Sequence, residues 1–323
     1  MLELSFENHF KFGYNHQPFT FRQTVEDNWY ASYGTVTQAN LDFKAACIDV
    51  AKKIRYSTKS PLYLFYSGGV DSEIMILAFL EAKINFNTVV LKFSNGYNDH
   101  DLFYALNFCK KYHIDPIIIN IDIEDLFDSK GYEKYFPIYC LSPIMHTTIV
   151  GMEKVDGYPV LGSGDLFIGR NLSPDDIKKY ALPWEQKWLL YDGPYENYDG
   201  NWYHRESERT AGWYRYLQWR NREGCAGFFQ YTPEIALSFL TDDLLKDYIK
   251  KNKIVSILSK KLEIYKRYFD IEERPKYHGH EKIMNKVEIV KKELFSRWPS
   301  ANGSHKTLLQ SFVTHLHGLN KYN

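Results

Sequence analysis

Leu62-Tyr63-Leu64-Phe65-Tyr66-Ser67-Gly68-Gly69-Val70-Asp71-Ser72 is a short continuous apolar run that breaks into a Ser-Gly-Gly turn. A helical pattern follows it through Ile74, Leu77, Ala78 and Phe79. Apolar runs of this length bounded by glycine read as buried strands, so the segment is a strand, a tight turn and a helix start. The same alternation continues outward. Thr88–Phe93 is a second run with a helix over Asp99–Tyr112, Pro116–Ile121 a third, and Tyr158–Leu161 a fourth before another glycine-rich turn. Strands separated by helices imply βαβ crossovers and a parallel sheet, which makes residues 61–170 an α/β unit.

On either side the texture differs. Residues 1–36 carry short aromatic alternations broken by Asn, His, Gly and Pro, the pattern of a small antiparallel ribbon, and residues 38–55 have helical spacing. Residues 1–60 are therefore expected to form an N-terminal extension of ribbon plus helix. Residues 171–323 are expected to be mainly helical, with periodic stretches near 206–220, 233–250, 254–268 and 279–297 after an aromatic, turn-rich segment at 184–203. The sign-alternating charges from Glu281 to Glu293 mark a solvated helix face.

Composition narrows the function. The chain has 323 residues with 40 Lys+Arg against 40 Asp+Glu, and this balance argues against a whole-chain electrostatic grip on nucleic acid or anionic membrane. An aromatic content of 17% argues against disorder. No run approaches the roughly 20 apolar residues that span a bilayer, and the N-terminus lacks the pattern of a secretory signal. The four cysteines are scattered without a CxxC pair, so a zinc ribbon and a redox dithiol are not expected. A cytoplasmic protein with no membrane partner is the expectation, while the sequence leaves the oligomeric state open.

The chemistry concentrates in the first turn. Unpaired N–H groups at a helix N-terminus favour an anion, and Gly68 and Gly69 let a backbone approach phosphate oxygens closely. Ser67 and Ser72 supply hydroxyl donors. Asp71 would repel a bare phosphate, so it points to Mg²⁺ bridging carboxylate and phosphate. Neither GxxxxGK[ST] nor GxGxxG is present, which disfavours a P-loop kinase and a nicotinamide enzyme.

The Ser67–Ser72 stretch resembles the pyrophosphate loop of the ATP pyrophosphatases, the PP-loop enzymes. Three further stretches are similar to the synthetase domain of the asparagine and β-lactam synthetases within that family. Phe93-Ser94-Asn95-Gly96 resembles the turn that lines adenine. Val160-Leu161-Gly162-Ser163-Gly164-Asp165-Leu166-Phe167-Ile168-Gly169 resembles the second glycine loop, with Leu166 where the family has glutamate. Arg274-Pro275-Lys276 resembles the late Arg-x-Lys segment.

The resemblance implies an adenine-nucleotide α-hydrolase fold and an AMP-forming ligase using ATP and Mg²⁺. It implies that Phe65 and Asn95 flank adenine, that Ser67, Gly68, Gly69 and Ser72 hold pyrophosphate, and that Gly162 and Gly164 line the second loop. It also implies that Asp71 and Asp165 bind the metal and that Lys276 steadies charge at the α-phosphate. With only residues 1–60 before the loop, and no leading cysteine, the chain is not expected to carry the glutaminase domain of asparagine synthetases. The acceptor and the source of nitrogen or sulfur are open.

Two other readings belong to different classes. One is a PP-loop enzyme that adenylates a nucleic-acid base before amine or sulfur substitution, and the other is an ATP-binding protein that has lost catalysis. Aromatics and arginines interleave between Trp202 and Arg222, which suits stacked bases. Helical spacing nevertheless sets Tyr216 beside Trp219 and Arg220, so an aromatic core stripe with a basic outer face is preferred over nucleic acid. His278 and His280 lie beside Glu281, but no third metal ligand is placed by sequence, so a loop capping the site is preferred over a metal centre.

Overall fold

A computed structural model describes residues 11–14, 17–18, 29–32, 42–138, 143–162, 226–228, 235, 238, 242–244, 258–275 and 279–297. Among the described residues there are two sheets. The smaller is an antiparallel ribbon of β1 (Lys11–Tyr14), β2 (Gln17–Pro18) and β3 (Trp29–Ser32), with β1 central. It falls within residues 1–36, the stretch expected to form a ribbon.

The larger sheet is parallel. Its strands are β4 (Leu62–Phe65), β5 (Asn87–Phe93), β6 (Ile117–Ile121), β7 (Tyr158–Leu161) and the two-residue β8 (Ala226–Gly227), in the order β6-β5-β4-β7-β8. Four of these strands coincide with the apolar runs to within one residue. The chain moves outward from β4 through β5 to β6, then returns to the opposite side of β4 for β7. Strand order therefore reverses between β4 and β7, and in open α/β sheets ligands bind at such a reversal, beyond the carboxyl ends of the strands.

Helices cover both faces. α1 (Phe43–Ser57) buries Phe43, Ala46, Cys47, Val50, Ala51 and Ile54, an i, i+3, i+4, i+7 stripe. Its start is fixed by Asp42, whose carboxylate accepts from the Ala45 N–H at 2.7 Å. α2 (Val70–Glu81) is buried continuously from Ser72 to Phe79. This helix is apolar nearly all round because it lies inside, with α1 and α6 (Leu258–Phe269) packed against it. Leu62, Leu64, Tyr66, Val90, Tyr158 and Val160 join this core with α3 (Asp99–Lys111) residues Ala105 and Phe108.

Alternate strand residues face the other way. There α5 (Pro143–Glu153) comes so close that a Cβ on Gly151 would lie 2.8 Å from both Leu91 and Phe65 side-chain atoms. α4 (Ile123–Asp128) and α7 (Met284–Arg297) pack on the same side, where Lys286 pairs with Asp128 at 2.6 Å. The arrangement is an α/β fold of Rossmann-like type with helical C-terminal elements. Among the described residues no helix is long and apolar enough to cross a membrane.

Candidate functional site: two glycine turns at the strand reversal

The Ser67–Ser72 turn sits at the carboxyl end of β4, the central strand. Tyr66 donates its N–H to the Val89 carbonyl at 2.8 Å, which carries the strand right up to the turn. Gly68 then takes φ +84°, a left-handed conformation that side chains disfavour. A Cβ there would lie 2.1 Å from the Asp101 carbonyl oxygen, so the first turn of α3 closes against this glycine. Gly68 is consequently required by protein packing. Gly69 is the more open of the pair, because a Cβ on it would meet only Ser67 Oγ, at 3.3 Å.

Gly69 is also the N-cap of α2, which starts without any side-chain cap. A helix whose first turn lacks a capping side chain keeps its backbone donors for another acceptor. The two serines organise the turn from within. Ser67 Oγ and Ser72 Oγ are 3.0 Å apart, Ser72 Oγ donates to the Gly69 carbonyl at 3.0 Å and accepts from Ser67 N–H at 3.2 Å, and Ser67 Oγ accepts from Gly69 N–H at 3.3 Å.

Gly162, the first residue of the second glycine stretch, meets the first turn. Gly162 follows β7 directly and is buried against α2, where a Cβ would lie 2.6 Å from Ser72 Cα. Ser72 and Gly162 thus touch at the reversal between β4 and β7. Gly164 and Asp165 lie outside the described residues, as do Lys276, His278 and the 202–222 stretch.

Phe65 and Asn95 are not brought together by their side chains. Phe65 is buried toward α5, while Asn95 adopts φ 61° and donates its amide to Glu124 at 2.9 Å on the far side of β5. Tyr97 donates to the same carboxylate at 2.8 Å, and this bond, with burial and the charge of Glu124, raises its phenol pKa. Asn98 holds the turn from below, accepting from Phe93 N–H and donating to the Leu91 carbonyl, both at 2.8 Å.

C-terminal residues complete the site, and Tyr265 is one that local sequence reading misses. Tyr265 of α6 is fully buried, stacks on Phe43 with centroids 5.4 Å apart, and donates its hydroxyl to Asp71 Oδ1 at 2.6 Å. Arg274 donates to Glu73 Oε2 and lies over the Tyr104 ring, 5.2 Å from its centroid. Tyr66 donates to the same Glu73 oxygen at 2.8 Å. Burial first, and then the neighbouring Glu73 charge, push the Tyr66 phenol far above its ordinary range, with Arg274 opposing. Gly279, at φ 80°, rests on the Tyr97 carbonyl, and His280 meets the Phe93 ring edge-on with centroids 5.1 Å apart. Arg274 and Gly279, which flank Lys276 in sequence, are therefore both anchored near the carboxyl ends of β4 and β5.

Among the described residues no three His, Cys, Asp or Glu side chains converge as a metal cluster. Asp71 offers a single half-buried carboxylate beside the uncapped helix start. That donor set suits Mg²⁺, which commonly takes one or two protein carboxylates and fills its shell with phosphate oxygens and water. No protein-family model matches the chain, and a search of curated proteins gives no match.

Proposed function

We propose that the chain is an ATP-dependent, AMP-forming synthetase of the PP-loop kind, which adenylates a carboxylate or carbonyl oxygen. The reading is carried by one observation: the Ser67–Ser72 turn meets Gly162, at the end of β7, where strand order reverses. In this reaction the acceptor oxygen forms a bond to the α-phosphorus, the bridging bond to the β-phosphate breaks, and pyrophosphate leaves. A nucleophile then displaces AMP from the activated acceptor.

Each residue has a role in this scheme. The uncapped start of α2 offers backbone donors to the leaving pyrophosphate, with Ser67, Gly68, Gly69 and Ser72 shaping the turn. Phe65 and Asn95 border adenine through their backbones. Asp71, with Asp165, holds Mg²⁺, which supplies neutralising charge for the phosphates. Lys276 offsets charge developing at the α-phosphate. Gly164 is assigned with Gly162 to nucleotide contact by the resemblance. Catalysis of this type rests on positioning and electrostatics, so an activated protein nucleophile is not required.

The test is pyrophosphate release from ATP and Mg²⁺ over a panel of carboxylates, amines and RNAs. Asp71→Ala is expected to abolish Mg²⁺-dependent turnover with the fold retained. Lys276→Ala is expected to slow AMP formation by about a hundredfold with nucleotide affinity little changed. Nucleotide binding without AMP formation under every condition would leave an ATP-binding protein in place of a synthetase, and no binding at all would end the proposal.

A further inference from the structure

Glu73 and Arg274 are 201 residues apart in sequence, yet their side chains meet with only 9% of each exposed. Glu73 belongs to the first turn of α2, directly after Ser72 and two residues after Asp71. This turn therefore carries two carboxylates at the helix end that favours an anion. In the proposed site Asp71 is matched by a divalent cation. Glu73 is directed inward, toward the Tyr66 hydroxyl and the Arg274 guanidinium, so its balancing charge is supplied by the protein.

Burying an ion pair is costly, and a well-packed apolar pair of similar volume often stabilises a protein as much or more. Removing one partner is different, because it leaves an uncompensated charge in a medium where Coulomb interactions are weakly screened. Without Arg274, that charge would be negative and one turn of helix from the phosphates. The guanidinium is itself held against the Tyr104 face, a cation–π contact that keeps positive charge at this place.

We propose that Arg274 is a positioning residue that keeps the nucleotide turn electrically receptive to a polyphosphate by cancelling the buried charge of Glu73. The inference rests on the nucleotide reading above and deepens it. It makes a prediction of sign that a purely mechanical clasp between α2 and residues 271–275 does not make.

The experiment is calorimetric titration of the full chain with ATP and with inorganic pyrophosphate, each with excess Mg²⁺. Arg274→Met is expected to weaken both ligands by about tenfold or more. Glu73→Gln is expected to bind them at least as tightly as the unaltered chain. The double variant Glu73→Gln/Arg274→Met is expected to recover to within about threefold of the unaltered chain, since both charges are then gone. Arg274→Lys serves if Arg274→Met does not fold, and is expected to retain most of the affinity because it retains the charge.

Equal binding by Arg274→Met would overturn the inference. So would weakening by Glu73→Gln, a double variant as weak as Arg274→Met, or an Arg274→Lys variant that loses tenfold. An unaltered chain that takes up neither ligand removes the nucleotide reading itself, whereas an unaltered chain that binds while its variants ignore the sign of charge removes only the role of Arg274.

Discussion

Asp71 is held by a residue 194 positions away. The Tyr265 hydroxyl donates to it at 2.6 Å, and the Tyr265 ring is locked by stacking on Phe43. A bond of this kind sets which way a carboxylate faces, so its loss should be felt by whatever the carboxylate binds. Tyr265→Phe keeps the ring and removes only the donor. It is expected to cost about 1 kcal/mol of stability and to raise the Mg²⁺ concentration needed for half-maximal nucleotide binding several-fold. Denaturant unfolding and a Mg²⁺ titration measure the two effects, and an unchanged Mg²⁺ requirement would separate Tyr265 from the proposed metal role of Asp71. Glycine requirements also differ residue by residue. Gly68 is glycine because its φ is +84° and α3 presses on it, while a Cβ on Gly69 would meet only Ser67 Oγ, at 3.3 Å.

At the scale of elements, β7 and α2 approach so closely that Gly162 has Ser72 backbone where a side chain would go. Backbone at a helix start cannot rotate aside as a long side chain does. Gly162→Ala is therefore expected to push the end of β7 away from the turn and to destabilise the fold by about 1–3 kcal/mol, with weaker nucleotide binding. Thermal unfolding and calorimetry on the same preparation would show whether the two losses travel together, and an alanine variant as stable as the parent would mean that the junction yields.

The strands of the parallel sheet were legible because buried strands are short apolar runs closed by glycine or polar turns, as in Leu62–Phe65 and Tyr158–Leu161. α5 was not, because Thr147, Thr148, Ile149 and Val150 favour strand and only packing on Leu91 and Phe65 makes the segment helical. α4 has six residues, too few for a periodic signal. Around the site, Ser67–Ser72 and Gly162 stood out as turns, whereas Tyr66, Glu73 and Tyr265 gave no local sign of a role.

For the whole molecule, the helices after residue 225 are part of the core beside the sheet. Phe228, Ile235, Ile264 and Tyr265 are buried with α1 and α2 residues in one apolar cluster. A chain ending at residue 225 would expose the faces of α1 and α2 that these side chains cover. It is expected to lose cooperative unfolding and to bind a hydrophobic dye, while keeping much of its helical circular dichroism. A sharp, two-state transition in that fragment would show that the α/β half folds without its C-terminal partners.

By itself the sequence determined the run of strand, turn and helix, the parallel character of the sheet and the position of its glycine turns. These depend on periodicity and backbone freedom within a few residues. Only the tertiary structure decided that Gly162 meets Ser72, that Tyr265 reaches Asp71 and that Arg274 pairs with Glu73. The reason is physical: such pairs form when sheet order and helix packing bring distant side chains into one small volume, and no local pattern along the chain encodes that convergence.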